Sequence, residues 1–270
     1  MARIALICCV VIAWVASAAG QSWQPTVRKD GQPDIAAYYE ILDGGGSGGL
    51  NIEPLTAAWL RKPSPSIVKD PPGGMIPYLP WARARRDEVQ NNQDHPTPGA
   101  VDTRTRGWPD GTPRINFYYV NPFQILQTDR AVVFLYEAQH EFRYVPVDGR
   151  PHVDPGVKLW MGSSRGRWEG TTLVIDVRNV SDRVRLSVQG DFHSDDVKIT
   201  ERWTWVNRDT IEMTATLDDP KVYSRPWTVG TRMQRIKDPR FELMEYSGVE
   251  GDRDQFLQVD IAGGKKQDKK

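Results

Sequence analysis

The sequence predicts a mainly β protein, an antiparallel meander of short strands closing into a barrel, preceded by an extended Pro/Gly-rich N-terminal arm that bears short helices. Three observations carry this. From Phe123 onward, short β-branched and aromatic runs recur between turn clusters such as Asp148-Gly149, Asn207-Arg208-Asp209 and Asp218-Asp219-Pro220. Two of these runs alternate apolar and polar residues, which is the period of a half-buried strand. Before Pro113 that pattern is absent, and prolines at positions 54, 63, 65, 71, 72, 77, 80, 96 and 98 oppose long helices and central strands.

In chain order, Met1–Gln21 has the pattern of a secretory signal. Arg3 supplies the charge, Ala5–Val15 the apolar run and Ala16–Gly20 the small residues of a cleavage region. The mature chain is expected in a bacterial periplasm or the exterior. Both cysteines, Cys8 and Cys9, lie in the signal, so neither a disulfide nor a Cys-ligated zinc is expected after it.

Residues 22–113 read as an arm packed on the barrel. Gly44–Gly49 is a flexible linker by composition, while Trp23, Tyr38, Tyr39, Trp59, Tyr78 and Trp81 give the arm aromatic anchors. Short helices are expected at Asp34–Leu42, Glu53–Arg61 and Pro80–Asn91.

The barrel is assigned to residues 114–262 and a charged tail to residues 263–270. Its expected strands are Phe123–Gln127, Ala131–Tyr136, Glu141–Val147, Val197–Val206, Thr210–Leu217, Lys221–Val229, Arg232–Lys237 and Phe241–Tyr246. Between them lies Trp160–Val177, read as a loop, a short strand around Arg167-Trp168, a turn at Glu169-Gly170 and a core strand, with Gly166 as a further turn position. In Thr210–Leu217 the apolar face is Ile211, Met213, Ala215 and Leu217. In Val197–Val206 the inward face is Ile199, Glu201, Trp203 and Trp205, so a carboxylate is carried into the barrel and must be paired or serve a ligand.

The stretch Gly166-Arg167-Trp168-Glu169-Gly170-Thr171-Thr172-Leu173-Val174-Ile175-Asp176 resembles the GRWEGDTLVVD signature of a large, mostly uncharacterised group of exported bacterial proteins. Asp191–Asp195, Glu201-Arg202-Trp203 and Ser224–Thr228 are similar to its later motifs, and Gly31–Asp34 and Asp70–Tyr78 to its N-terminal ones. Thr171 stands where the signature has Asp, and the cysteines that relatives often carry near Gly107-Trp108-Pro109 and after Tyr246 are absent. The resemblance implies no particular reaction. The barrel also looks like the calycin type, lipocalin-like, an analogy that implies architecture and leaves function open.

Formal net charge is zero and no basic stripe exists, so nucleic acid is not an expected partner. No later stretch is apolar enough for a membrane span. Ten tryptophans is a high count, enough for several to line a pocket as well as fill a core. The leading reading is a barrel that binds a small, largely apolar ligand in an aromatic-lined pocket without metal or cofactor. Its ligand-binding candidates are Arg165, Arg167, Trp168, Glu169, His140, Tyr136, Trp203, Trp227 and Arg225. Trp205, Phe142 and Tyr223 share the aromatic set; the plainer reading makes these rings ordinary core.

A second reading is a cofactor-free lyase, isomerase or cyclase. His193 and Glu201 would be its acid–base pair, Arg165 and Trp168 would place the substrate, and Tyr136 or Tyr246 would donate a proton. The plainer reading has Glu201 paired with an arginine inside the barrel. A metal site from His140, His152 and His193 lacks any supporting spacing. Ser163-Ser164 lacks the strand–turn–helix setting of a hydrolase elbow. A third reading is a surface interaction module built on exposed tryptophans.

Overall fold

A computed structural model describes residues 23–42, 51–55, 63–92, 97, 100–104, 107–117 and 122–245. The signal pattern, the Gly44–Gly49 linker, Trp59, His95, Tyr246 and the charged tail lie outside the described residues.

Among the described residues the strands are β1 (Ala37–Ile41), β2 (Val68–Asp70), β3 (Phe123–Gln127), β4 (Ala131–Tyr136), β5 (Phe142–Pro146), β6 (Ser163–Glu169), β7 (Thr172–Arg178), β8 (Lys198–Trp205), β9 (Thr210–Asp218) and β10 (Trp227–Arg235), with one α-helix, α1 (Pro80–Asn91). They form one antiparallel sheet in the order β5-β4-β3-β1-β10-β9-β8-β7-β6, curled into a nearly closed barrel, and β2 pairs β10 off this path. Two meanders, β3–β5 and β6–β10, are joined through β1.

Alternation sets the inside. Ile199, Glu201, Trp203 and Trp205 of β8 and Ile211, Met213, Ala215 and Leu217 of β9 are all buried, while Lys198, Thr200 and Arg202 are exposed. The register places Trp203 opposite Met213 and Leu173, and Glu201 opposite Ala215 and Ile175. Helix α1 forms where expected, with Pro80 in its first turn, where a missing N–H costs nothing.

Three expectations are corrected. Asp34–Leu42 is not a helix. Residues 37–41 form β1, whose Tyr39 and Ile41 point inward and Glu40 outward, and which pairs β3 on one side and β10 on the other. Lys221–Val229 and Arg232–Lys237 are not two strands: Trp227–Arg235 is continuous, because both of its edges are occupied, one by β9 and the other by β2 and β1 placed end to end. Gly166 is not a turn residue but lies inside β6, whereas Gly170, at φ +60°, makes the β6–β7 turn.

Nine strands in the ring have a geometric consequence. When each is antiparallel to its neighbour, an odd number leaves the two end strands parallel. Arg143 of β5 meets Ser164 of β6, and a Cβ on Gly166 would lie 2.9 Å from Val145, so the two sequences advance together along this seam. No ladder joins β5 to β6 among the described residues. A parallel pair also needs a crossover, and residues 147–162 supply it.

Gly166 is the residue that lets β5 and β6 approach, since its added Cβ would also meet Val147 at 3.0 Å. Gly166→Val is expected to destabilise the protein by about 1–3 kcal/mol through overpacking. Urea unfolding measures this, and an unchanged midpoint would mean that the seam is not tightly packed.

Candidate functional site

The parallel seam opens into a groove of about 510 Å³. Its outer wall is apolar, formed by Phe142 and Tyr144 of β5 and by Val153, Leu159 and Trp160 of the crossover. Trp160 is held by a tilted contact with Trp108 at 5.6 Å between ring centroids. The seam residues Glu141, Arg143, Ser163 and Ser164 also line it, with His140 and Arg165 at its edges.

β5 inverts the usual phase of a strand. Phe142 and Tyr144 point out, 66% and 47% exposed, while Arg143 points in and is buried. Inside, one Arg143 Nη donates to Glu201 Oε2 at 2.7 Å and Nε donates to Ser164 Oγ at 3.0 Å. Trp203 Nε1 donates to the same Glu201 oxygen at 2.9 Å. The second Glu201 oxygen and the second Arg143 Nη have no partner among the described residues. Tyr136 completes the cluster. Its hydroxyl donates to Asn116 Oδ1 at 2.9 Å, and burial pushes the phenol far above its ordinary range, against the pull of Arg143.

At the groove edge Gln139 and His140 have φ of 58° and 52°, left-handed values that cost free energy for residues with a Cβ. The following residue shows what holds them there. Glu141 Oε1 accepts from the Asp110 N–H at 2.6 Å, and the Tyr136 N–H donates to the Glu141 carbonyl at 2.8 Å. Burial, with Asp110 nearby, pushes the Glu141 carboxyl up to about 8, against backbone donors and Arg104. Burial also raises Asp110, opposed by Arg114 and Arg104. Glu141 Oε2 has no partner among the described residues.

The expected site residues separate into groups. His140 and Arg165 border the groove, and Tyr136, Glu201 and Trp203 lie behind it in the Arg143 cluster. Arg167 and Glu169 form an exposed outer network with Arg202, at 2.8 and 2.9 Å. Trp168 packs on Trp205 at 6.0 Å and donates to Gln32. Arg225 is an exposed partner of Asp70, bonded through both guanidinium nitrogens at 3.0 and 3.1 Å.

Trp203 and Trp227 are fully buried, Trp203 against Phe134 at 4.8 Å and Trp227 against Tyr223 at 5.5 Å, and neither lines this groove. His193 Nδ1 bonds to the Ser194 carbonyl and its Nε2 has no partner among the described residues, while Glu201 bonds to Arg143 and Trp203, so no hydrogen bond joins His193 to Glu201. Desolvation lowers the His193 pKa. Among the described residues no group of His, Cys, Asp or Glu is arranged to hold a metal ion.

Arg143, Glu141, Ser163 and Trp160 were not among the expected site residues. The readable signal was the phase of Phe142-Arg143-Tyr144-Val145, which puts rings on one face and an arginine with a valine on the other. Compared with known proteins, the chain matches no family model, no curated protein and no solved structure.

Arg143→Met leaves Glu201 buried and uncompensated, so a loss of about 3–5 kcal/mol is expected. Arg143→Met with Glu201→Leu should recover most of it; a double variant as unstable as the single one in urea would show that the pair is not the cause. Glu141 predicts a pH effect. Its folded pKa, about 8, exceeds the ordinary 4.5, so the folded state holds this proton more tightly than the unfolded chain. Stability should therefore fall as pH rises from about 4.5 and level off above about 8, by a few kcal/mol at most. Glu141→Gln should flatten that decline in melting curves taken from pH 5 to 9.

Proposed function

We propose that this is an exported barrel protein that binds a small, largely apolar ligand in the β5–β6 groove. The observation that carries the reading is the exposure of Phe142 and Tyr144, with Val153 and Leu159, around a cavity of about 510 Å³. Contiguous exposed apolar side chains around a concavity with a few polar groups are the usual make-up of a ligand site. The ligand's apolar body lies on those rings, and its polar end faces His140 and Arg165 at the groove edges. The aromatic lining expected from the sequence is thus supplied by Phe142, Tyr144 and Trp160 rather than by the core tryptophans. Export is supported by the Met1–Gln21 pattern and by the resemblance to exported bacterial proteins.

The test uses the mature chain and 8-anilinonaphthalene-1-sulfonate, an apolar dye whose fluorescence rises on burial. Saturable binding is expected. Phe142→Asp should weaken it about tenfold, the loss of one well-packed side-chain contact, with no shift of the melting temperature because Phe142 is exposed. An affinity unchanged by Phe142→Asp would exclude the groove as the site.

A further inference from the structure

The crossover between β5 and β6 carries His152, and both of its ring nitrogens are engaged. Nδ1 lies 3.2 Å from Ser163 Oγ and Nε2 lies 3.2 Å from Asp176 Oδ2. Ser163 opens β6. Asp176 lies on β7, opposite Arg165 and two rungs from the Ser163–Arg178 pair, so the hairpin register brings serine and carboxylate to the same outer face.

The histidine is held over them from several sides. Arg165 Nε donates to the Pro151 carbonyl at 2.7 Å, and Asn179 Nδ2 donates to the carbonyls of Asp154 and Val153 at 2.9 and 3.2 Å. The Val153 N–H donates to Ser163 Oγ at 3.3 Å, and the Arg178 guanidinium lies against the other Asp176 oxygen. Ser163 is only 3% exposed and is one of the residues that line the groove.

We infer that Ser163, His152 and Asp176 are the nucleophile, base and orienting carboxylate of an acyl-transfer site. Its substrates are carboxylic esters with an apolar group seated against Phe142 and Tyr144. The inference rests on the groove reading, which supplies the substrate's seat.

A nucleophile bonded to a base that a third group orients is the arrangement such chemistry requires. With the Nε2 proton donated to Asp176, Nδ1 keeps a lone pair and accepts from the Ser163 hydroxyl. The two ring nitrogens thus exchange the roles they have in the familiar Ser-His-Asp triad, and the proton balance is the same. As Oγ bonds to the ester carbon, its proton passes to Nδ1. The carbon–oxygen bond to the alcohol then breaks, and the alkoxide takes that proton. Water attacks the acyl-serine, gives a proton to Nδ1 and releases the acid, and Ser163 recovers its proton from Nδ1. Ester and water become acid and alcohol, with no other reactant. The Val153 N–H donates to the same serine oxygen and so helps to fix its position.

The same bonds would also exist if they only fastened the crossover to the sheet, and reactivity separates the two cases. The wild-type mature chain is incubated with an alkyl fluorophosphonate, and adducts are located by peptide mass spectrometry. Hydrolysis of p-nitrophenyl butyrate and dye binding are measured in parallel. The expected result is one adduct, on Ser163, with ester hydrolysis that His152→Ala and Asp176→Asn each reduce at least a hundredfold. A wild-type protein that binds the dye but forms no adduct at Ser163 overturns the acyl-transfer site and leaves the groove reading standing. A protein with neither adduct nor dye binding overturns both. Because the wild-type adduct decides the matter, a variant that folds poorly does not obscure it.

Discussion

The barrel depends on one buried ion pair, Arg143 with Glu201. Eight of the nine neighbouring strand contacts around the ring are antiparallel ladders, but the last, β5 against β6, is parallel and has no ladder among the described residues. Closure there falls to side chains. Arg143 leaves β5, bonds Ser164 across the seam and reaches Glu201 on β8 inside the barrel. Taking two charges out of water costs several kcal/mol for each ion, and only close geometry with further hydrogen bonds offsets it. The 2.7 Å contact and the Trp203 donor meet that condition for one carboxylate oxygen. The other oxygen and one guanidinium nitrogen are buried and have no partner among the described residues.

The N-terminal region serves the same closure from the opposite side. β1 is a stave between β3 and β10, and β2 continues the edge of β10 beyond it, so these residues belong to the barrel wall. A second buried polar network ties α1 to the wall. Glu53 is bonded by Arg83 at 2.6–2.8 Å, and Arg86 and Tyr78 both reach Asp191, at 3.1 and 3.0 Å. Trp81 and Arg85 pack on Phe192 in the same region. These groups come from distant parts of the chain, and each buried charge would be costly without its partner. Proline in this segment therefore marks fixed, non-repetitive backbone rather than a loose appendage.

Strands whose two neighbours follow them closely in sequence were legible. β8 and β9 alternate cleanly because each has one wall on the core and one on solvent, and the inward position of Glu201 followed from that phase alone. α1 was legible from Pro80 and the Ala- and Arg-rich run after it. β1 was not. Ala36-Ala37-Tyr38-Tyr39-Glu40 has fair helix propensity, and its strand state comes from partners near positions 125 and 234, so tertiary pairing overrode a weak local preference. The groove was harder still. It exists because an odd number of strands forces a parallel seam, and no single segment records that number. His140 and Arg165 could be proposed as polar residues beside turns, but the contact of Glu141 with Asp110 joins residues 31 apart in sequence, and that of His152 with Asp176 depends on where the crossover lies.

The inverted phase of β5 connects closure to function. In an ordinary barrel strand Phe142 and Tyr144 would face the core and Arg143 the solvent, and burying both rings would stabilise the fold by a few kcal/mol. At this seam that arrangement would leave Glu201 without its counter-charge and β6 without its link to β5. Placing the arginine inward satisfies both and turns the rings outward as an unavoidable consequence, because successive side chains on a strand point to opposite faces. The crossover required by the parallel seam then runs beside those rings and encloses them with Val153, Leu159 and Trp160. A buried salt bridge, a parallel seam and an apolar groove are therefore a single structural solution, and a change that relieves one of them disturbs the other two.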